Sequence, residues 1–198
     1  MAASTANVLS VTVAPSHSFS KPAVSSIKLI ANYGVEGDCH AGKAVQHRSQ
    51  LHIKPPPANL RQVHLIPIEI LRRVSSTVST AERTKLLTPG ALGQNITTEG
   101  IDLLSLSVGT ELRFVAPTAN TNTAAGPILV LTGVRNPGPQ IDRFQSGLQE
   151  RFLVRDANRQ ITGRLAGVMT TVKQGGEVKP GMKIVAVKPS KHVPLGPV

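Results

Sequence analysis

Short apolar runs, cut every few residues by glycine or proline, set the strongest limit on what this chain can fold into. Seventeen glycines and fifteen prolines punctuate 198 residues, and these are the residues that turn a backbone or stop a helix. The apolar segments between them are built from Val, Ile and Leu. Aromatic residues, which dominate many cores, are reduced to four Phe and one Tyr, with no Trp. β-Branched side chains favour extended backbone. The expected class is therefore mainly all-β, a barrel or sandwich of many short strands with a few short helices. The length suits one domain with a sizeable core: residues 1–198, with a core over about 8–187 and a basic, Pro-containing tail over 189–198 that is expected to fray.

Along the chain, Val8–Ala14, Ser26–Tyr33, Leu60–Pro67, Glu111–Val115, Pro127–Thr132, Gly163–Val172 and Lys183–Lys188 read as strands. Ile68–Val74 fits a short helix with Pro67 in its first turn, and Gln145–Phe152 fits another. His17–Pro22 reads as a polar turn and Ser75–Thr80 as a linker. Lys43–Asn59, with Pro55, Pro56 and Pro57 in sequence, reads as an exposed extended loop. Thr118–Gly126 reads as a low-complexity loop.

The net charge is +11, from 22 Lys and Arg against 11 Asp and Glu. Such an excess attracts phosphates, acidic lipids, nucleic acids and anionic cofactors alike, and it also serves solubility. Nucleic acid ranks last, because the basic residues are spread out and the aromatics that stack on bases are nearly absent. The single cysteine, Cys39, excludes an intramolecular disulfide and a Cys-rich zinc site. No apolar run approaches the roughly 18–20 residues of a membrane span, and no apolar signal core opens the chain, so no membrane partner and a cytoplasmic location are expected. Phosphate-binding GxxxxGK[ST] and GxGxxG loops, the GxSxG nucleophile elbow and HExxH spacing are all absent from the sequence.

Four segments carry polar chemistry. In Gly37-Asp38-Cys39-His40, extended backbone would point Asp38 and His40 the same way and Cys39 the other. A carboxylate and an imidazole so placed can orient a reactive group or hold a metal, or can simply be an Asp-capped turn with a surface histidine. In Arg61-Gln62-Val63-His64, alternation puts Gln62 and His64 on one face, as a site lining or as a solvated face. Gly93-Gln94-Asn95 offers backbone N–H groups and side-chain amides to an anionic or heteroaromatic ligand, or forms a wide connecting turn. Arg135-Asn136-Pro137-Gly138-Pro139-Gln140-Ile141-Asp142 follows an apolar strand. Its Arg135 can fork onto a phosphate or carboxylate, and prolines on both sides of Gly138 stiffen the loop.

The order of these segments, followed by Gly163-Arg164-Leu165-Ala166-Gly167-Val168-Met169 and Lys179-Pro180-Gly181-Met182-Lys183-Ile184, resembles a free-standing MOSC domain, the family of the C-terminal domain of molybdenum cofactor sulfurases. The likeness runs from about Val8 to Val187. It implies a β-barrel of mostly antiparallel strands with small helices. It also implies a basic pocket for the molybdenum cofactor, a pterin carrying a phosphate and a dithiolene-bound metal, used for sulfur transfer or for reducing N-hydroxylated compounds. By matching position, Asp38, His40, His64 and the Gly138 position fall at the reactive part. Arg61, Gln62, Gln94, Asn95, Arg135, Asn136, Asp142 and Arg164 fall around the cofactor. No protein metal ligands are expected. Pyridoxal phosphate belongs to the sulfurase domain fused upstream in the large relatives, and it is not expected here. A small-molecule cofactor or substrate and an electron-donor protein are the candidate partners.

Three departures accompany the resemblance. Gly138 stands where the family characteristically has a cysteine, and a glycine can neither ligate molybdenum nor carry a persulfide. Gln94 stands where many relatives have Glu, and Cys39 where relatives often have a small residue. The alternatives that these departures leave open are a non-redox binding module, and acid/base chemistry by Asp38, His40 or His64.

Overall fold

The computed structural model describes residues 6–46, 52–78, 87–118 and 126–198. Seven strands close a mixed barrel: β1 (Asn7–Thr12), β13 (Lys183–Val187), β7 (Glu111–Val115), β8 (Ile128–Val134), β11 (Val168–Gln174), β5 (Val63–Pro67) and β6 (Ile96–Glu99), which returns to β1. The closing pair is short, with Asn7 opposite Lys183. It is reinforced by Val8 N–H donating to Met182 O at 2.9 Å and Ile184 N–H donating to Ala6 O at 2.8 Å. Neighbouring strands run antiparallel except β5 and β6, which pair in parallel with Leu65 opposite Ile96. A parallel pair needs a crossover, and the connection here carries α1 (Ile68–Ser76). β2 (Ala23–Val24) extends β1. Outside the barrel, β12 (Gly176–Val178), β3 (Ile27–Ile30) and β4 (Gly34–Val35) form a small sheet, and β9 (Leu153–Arg155) and β10 (Ile161–Arg164) form a hairpin.

Two apolar clusters hold this arrangement. The first fills the barrel with the inward residues of alternating strands, among them Val8, Val11, Leu65, Ile96, Leu112, Phe114, Leu129, Leu131, Val168 and Val172. The second lies outside it. There Ile66, Ile68, Leu71 and Val74, from β5 and α1, meet Leu92, Ile141, Leu148, Phe152 and Ala166. That cluster clamps α2 (Gln140–Phe144) and α3 (Leu148–Arg151) onto the barrel wall. Because β5 is covered on both sides, all five of its residues are buried, and the solvated face expected from its alternation does not exist.

Several sequence expectations shift by identifiable causes. The helix expected at Ile68–Val74 continues to Ser76, and Pro67 ends β5 and caps the helix rather than entering it. The run expected as one strand over Gly163–Val172 breaks between β10 and β11. At Gly167 φ is +88°, and a Cβ would lie 2.2 Å from Leu65 O and 3.0 Å from His64 Nε2, so only glycine lets the chain pass so close to β5. The helix expected at Gln145–Phe152 is confined to α3, and α2 precedes it, starting directly after Pro139. The loop expected to be exposed over Lys43–Asn59 folds back where it is described: Ala44 bridges Ala58, and Val45 and Asn59 are buried. Most of the loop expected over Thr118–Gly126 lies outside the described residues. The tail over 189–198, expected to fray, is hydrogen-bonded to the barrel, with Val108 N–H donating to Val193 O at 2.9 Å and Val134 N–H donating to Gly196 O at 2.8 Å. Among the described residues no helix is long and apolar enough to cross a membrane.

Candidate anion-binding site

A cleft of about 700 Å³ opens between the β5–β11 wall, the turn before β6, the 17–21 loop and the loop leading into α2. The residues lining it include Lys21, His40, Arg61, His64, Asn95, Arg135, Gly138 and Arg143, and no Asp or Glu. A second recess of about 500 Å³ beside α1 mixes Glu69, Asp102 and Arg73. It therefore has no comparable bias of charge.

Barrel pairing builds the floor of the cleft. His64 on β5 sits opposite Met169 on β11. Asn95, just before β6, meets His64 through the backbone: Asn95 N–H donates to His64 O at 2.8 Å, and Asn95 Oδ1 accepts from His64 N–H at 3.2 Å. The His64 ring is buried, and Nε2–H donates to Ala166 O at 2.7 Å. With that proton fixed, Nδ1 carries the lone pair. Burial, then the nearby Arg135 charge, pushes the imidazole well below its ordinary range against the opposing pull of the Ala166 carbonyl. His64 is thus a neutral acceptor among cations.

This fixes the sign of a pH dependence. The unfolded chain takes up the His64 proton from about pH 6.5 downward, and the folded state takes it up only at lower pH. The unfolded state binds more protons in that window, so stability falls with pH below about 6.5, at up to about 1.4 kcal/mol per pH unit for one group. His40 is also lowered, chiefly by burial, and adds to the same slope. His64→Gln should flatten the slope of unfolding free energy between about pH 6.5 and 5. An unaltered slope would contradict the assignment.

Asp38 organises one wall from behind. Its side chain is 1% exposed and paired with Lys21 Nζ at 2.6 Å. It also accepts from Asn95 Nδ2 at 2.9 Å, from His40 N–H at 3.0 Å and from Ala14 N–H at 3.4 Å. Burial opposes its ionisation, but the His40 hydrogen bond and the Lys21 ammonium outweigh burial and hold the carboxyl well below the usual carboxylate range. Asp38 therefore braces Lys21, Asn95 and the 38–40 turn, and it is not among the residues lining the cleft. Asn59 fixes the far side of the same turn, donating from Nδ2 to His40 O at 2.9 Å and to Gly42 O at 3.0 Å. The 17–21 loop is set in turn by Gly90: φ there is +85°, and a Cβ would lie 2.2 Å from Lys21 O.

The remaining cations have no acidic partner among the described residues. Arg135 follows β8, its N–H donating to Gly167 O at 2.9 Å. Its guanidinium is half-buried and donates to Leu92 O at 2.5 Å. Burial, then the charge of Arg61, brings its pKa down to about 10, which leaves it charged at neutral pH. Arg61 Nε is buried without a hydrogen-bond partner among the described residues. Two neighbouring guanidiniums with no carboxylate between them present an incomplete electrostatic arrangement, and an anion completes it.

Of the residues expected from the sequence, His40, Arg61, His64, Asn95, Arg135, Asn136 and Gly138 meet around the cleft. Arg61 and His64 share it because Gln62 lies in a bend before β5 and alternation does not apply there. Gln62, Gln94, Asp142 and Arg164 are not among its lining residues. Gln62 Oε1 accepts from Val172 N–H at 2.9 Å, and Gln94 bonds Leu92 N–H and the Thr97 hydroxyl. Asp142, in α2, accepts from Gln149 N–H in α3 at 2.6 Å, and Arg164 Nε donates to Asn136 Oδ1 at 2.9 Å. The sequence reading missed Lys21, Arg143, Met169 and the Phe19–Phe144 ring pair, with centroids 5.1 Å apart, that joins the loop to α2. The only advance signal was the basic residue in the His17–Pro22 turn.

Gly138 lines the cleft in a backbone conformation open to any L-residue. A Cβ there would meet only the far end of Gln140, with Oε1 at 2.6 Å, and that exposed side chain can swing away. Gly138→Cys should fold with an unfolding free energy within about 1 kcal/mol of the parent. Thiol titration of the native variant should show a reactive group in addition to any from Cys39. Failure to fold would contradict this geometry.

Three comparisons set this geometry among known proteins. The YuaD protein from Bacillus subtilis superposes with a TM-score of 0.67 at 22% identity, over 91% of this chain and 94% of that one. YiiM from Escherichia coli gives a TM-score of 0.62 at 16% identity, over 96% and 73%. YiiM from Geobacillus stearothermophilus gives 0.59 at 15%, over 92% and 75%. These likenesses establish a shared fold. No curated protein sequence matches the chain. The sequence model of the MOSC domain matches residues 38–185, three quarters of the length and every strand of the barrel except β1 and the end of β13; the chain is therefore a member of the MOSC domain family.

Proposed function

We propose that the cleft binds the phosphate-bearing pterin of the molybdenum cofactor, and that it does so without a protein thiolate from position 138. The observation that carries this reading is the pair of guanidiniums, Arg61 and Arg135, without a carboxylate partner among the described residues, in a cleft with no acidic lining residue. Family membership supports it, since MOSC domains are associated with that cofactor. The residues present fit one end of the group and not the other. Arg61, Arg135 and Arg143 suit its phosphate, and the neutral His64 offers an acceptor to a ring N–H. At Gly138 nothing can ligate a metal. When bound, the cofactor would supply its own redox chemistry. The chain's residues would hold and orient it and lower the cost of its negative charge.

The acid/base alternative is weakened by the same geometry. Asp38 is committed to Lys21, Asn95 and His40, and its depressed pKa makes it a poor proton carrier near neutrality. A titration distinguishes the readings. The protein should bind a pterin phosphate about 10–100-fold more tightly than the dephosphorylated pterin, and the preference should shrink as salt is raised. Equal affinity for both would overturn the proposal.

A further inference from the structure

We infer that His17, Cys39 and His40 form a zinc site at the rim of the cleft, with three protein ligands and one open position. One ring nitrogen of each histidine and Cys39 Sγ lie within 4.8 Å of one another. Cys39 Sγ is 3.2 Å from His40 Nδ1, and the two imidazoles meet edge to face with centroids 5.1 Å apart. Tetrahedral zinc, about 2.3 Å from sulfur and about 2.0–2.1 Å from nitrogen, wants donors roughly 3.3–3.6 Å apart. The Cys39–His40 pair is already near that spacing, and the exposed His17 ring, held by a 3.3 Å contact of Nε2 to Gln46 O, closes the set by a small movement.

Extended alternation would have turned Cys39 away from His40, but residues 36–41 are not a strand. They form a turn held by Asp38 N–H donating to Val35 O at 3.1 Å and Ala41 N–H donating to Asp38 O at 3.0 Å, and the turn brings both side chains to one side. The loop carrying His17 is tied to this turn directly, by Cys39 N–H donating to Ala14 O at 2.9 Å. Asp38 and Asn59 hold His40 by its backbone N–H and carbonyl. Ligands on a braced turn lose little freedom when a metal binds.

The donor set selects the ion. One thiolate and two imidazoles are borderline-soft and match zinc, not magnesium or calcium. The Lys21–Asp38 pair beside the site is neutral overall, so the Cys39 thiolate offsets the charge of the ion, and a metal on His40 Nδ1 takes the place of the proton that this nitrogen shares with Asp38 Oδ1 at 3.4 Å. Closed zinc sites have four protein ligands, and sites that take an exogenous ligand have three. His17 and His40 line the cleft, so the fourth position would hold water or an anionic group of whatever occupies it.

The test uses the full chain, stripped with chelator and titrated with Co2+ under reducing conditions, followed by Zn2+ competition against a chromophoric chelator. The expected result is one equivalent of metal and a thiolate-to-cobalt charge-transfer band that Zn2+ abolishes. Cys39→Ser should lose the band. His17→Ala, at an exposed position, should weaken zinc by more than the roughly 10–100-fold that losing an outer-shell partner costs. Far-UV circular dichroism would establish that both variants are folded. Absence of the band in the parent, or zinc affinity unchanged in Cys39→Ser, would overturn the site. Neither readout depends on pterin binding.

Discussion

Asp38→Ala is expected to lower the unfolding free energy by about 3–5 kcal/mol, the usual effect of removing one partner of a buried ion pair. Lys21 and Asp38 are each 1% exposed at the side chain. Without the carboxylate the ammonium remains buried and uncompensated, Asn95 Nδ2 keeps only Thr12 O at 3.4 Å, and the N–H groups of His40 and Ala14 lose their acceptor. Adding Lys21→Met should recover part of the loss, because the uncompensated charge goes with it. The pH dependence has a definite sign. Asp38 is depressed in the folded state, so its contribution is fully present above the unfolded carboxyl value of about 3.9 and is lost as pH falls toward the folded value. Urea unfolding at pH 7 checks the magnitude; a loss below about 1 kcal/mol would mean that the pair does not brace the site.

Arg135→Ala should leave stability nearly unchanged while weakening a phosphate-bearing ligand by about 10–100-fold, as expected for loss of a charge-assisted hydrogen bond. Among the described residues the guanidinium bonds only a carbonyl, Leu92 O, so its removal leaves no buried opposite charge behind. Arg135→Lys should fall between the two, since an ammonium keeps the charge but not the planar fork. Arg164→Ala serves as the contrast. That residue reaches Asn136 from outside the cleft, and its loss should alter affinity by less than about threefold. Titration of a pterin phosphate into the three variants separates these outcomes, and equal affinity for Arg135→Ala and the parent would remove Arg135 from the site.

The barrel was largely legible in the sequence because its strands announce themselves by composition. Glu111–Val115 alternates between turns and is recovered residue for residue, and Lys183–Val187 is recovered to within one. β6 escaped, because Ile96-Thr97-Thr98-Glu99 carries one strongly apolar residue. Its threonines are buried by parallel pairing with β5, which no local pattern encodes. The lining of the cleft was legible in fragments. Arg61 and His64 came from the Arg61–His64 segment and Arg135 from the loop after an apolar strand. Lys21 was not legible, because only the β1–β6 pairing and the close approach of Gly90 carry its turn to Asp38. Gln62, Gln94 and Asp142 lie outside the cleft lining, and each accepts from a backbone N–H, of Val172, Leu92 and Gln149. A sequence does not distinguish an amide or carboxylate that satisfies a neighbour from one that awaits a ligand. Cys39 lies beside His40 because residues 36–41 form a turn, to which the alternation of extended backbone does not apply.

The most direct test of the account is the ratio of pterin to protein, with molybdenum measured alongside, in the parent and in Gly138→Cys purified gently from a host that makes the cofactor. Arg61 and Arg135 are intact in both, and the Cβ at 138 meets only a movable side chain. Equal pterin is expected in the two proteins, with more molybdenum retained in the cysteine variant. Pterin found only with the cysteine present would contradict it, because retention would then depend on the thiolate and not on the cationic cleft.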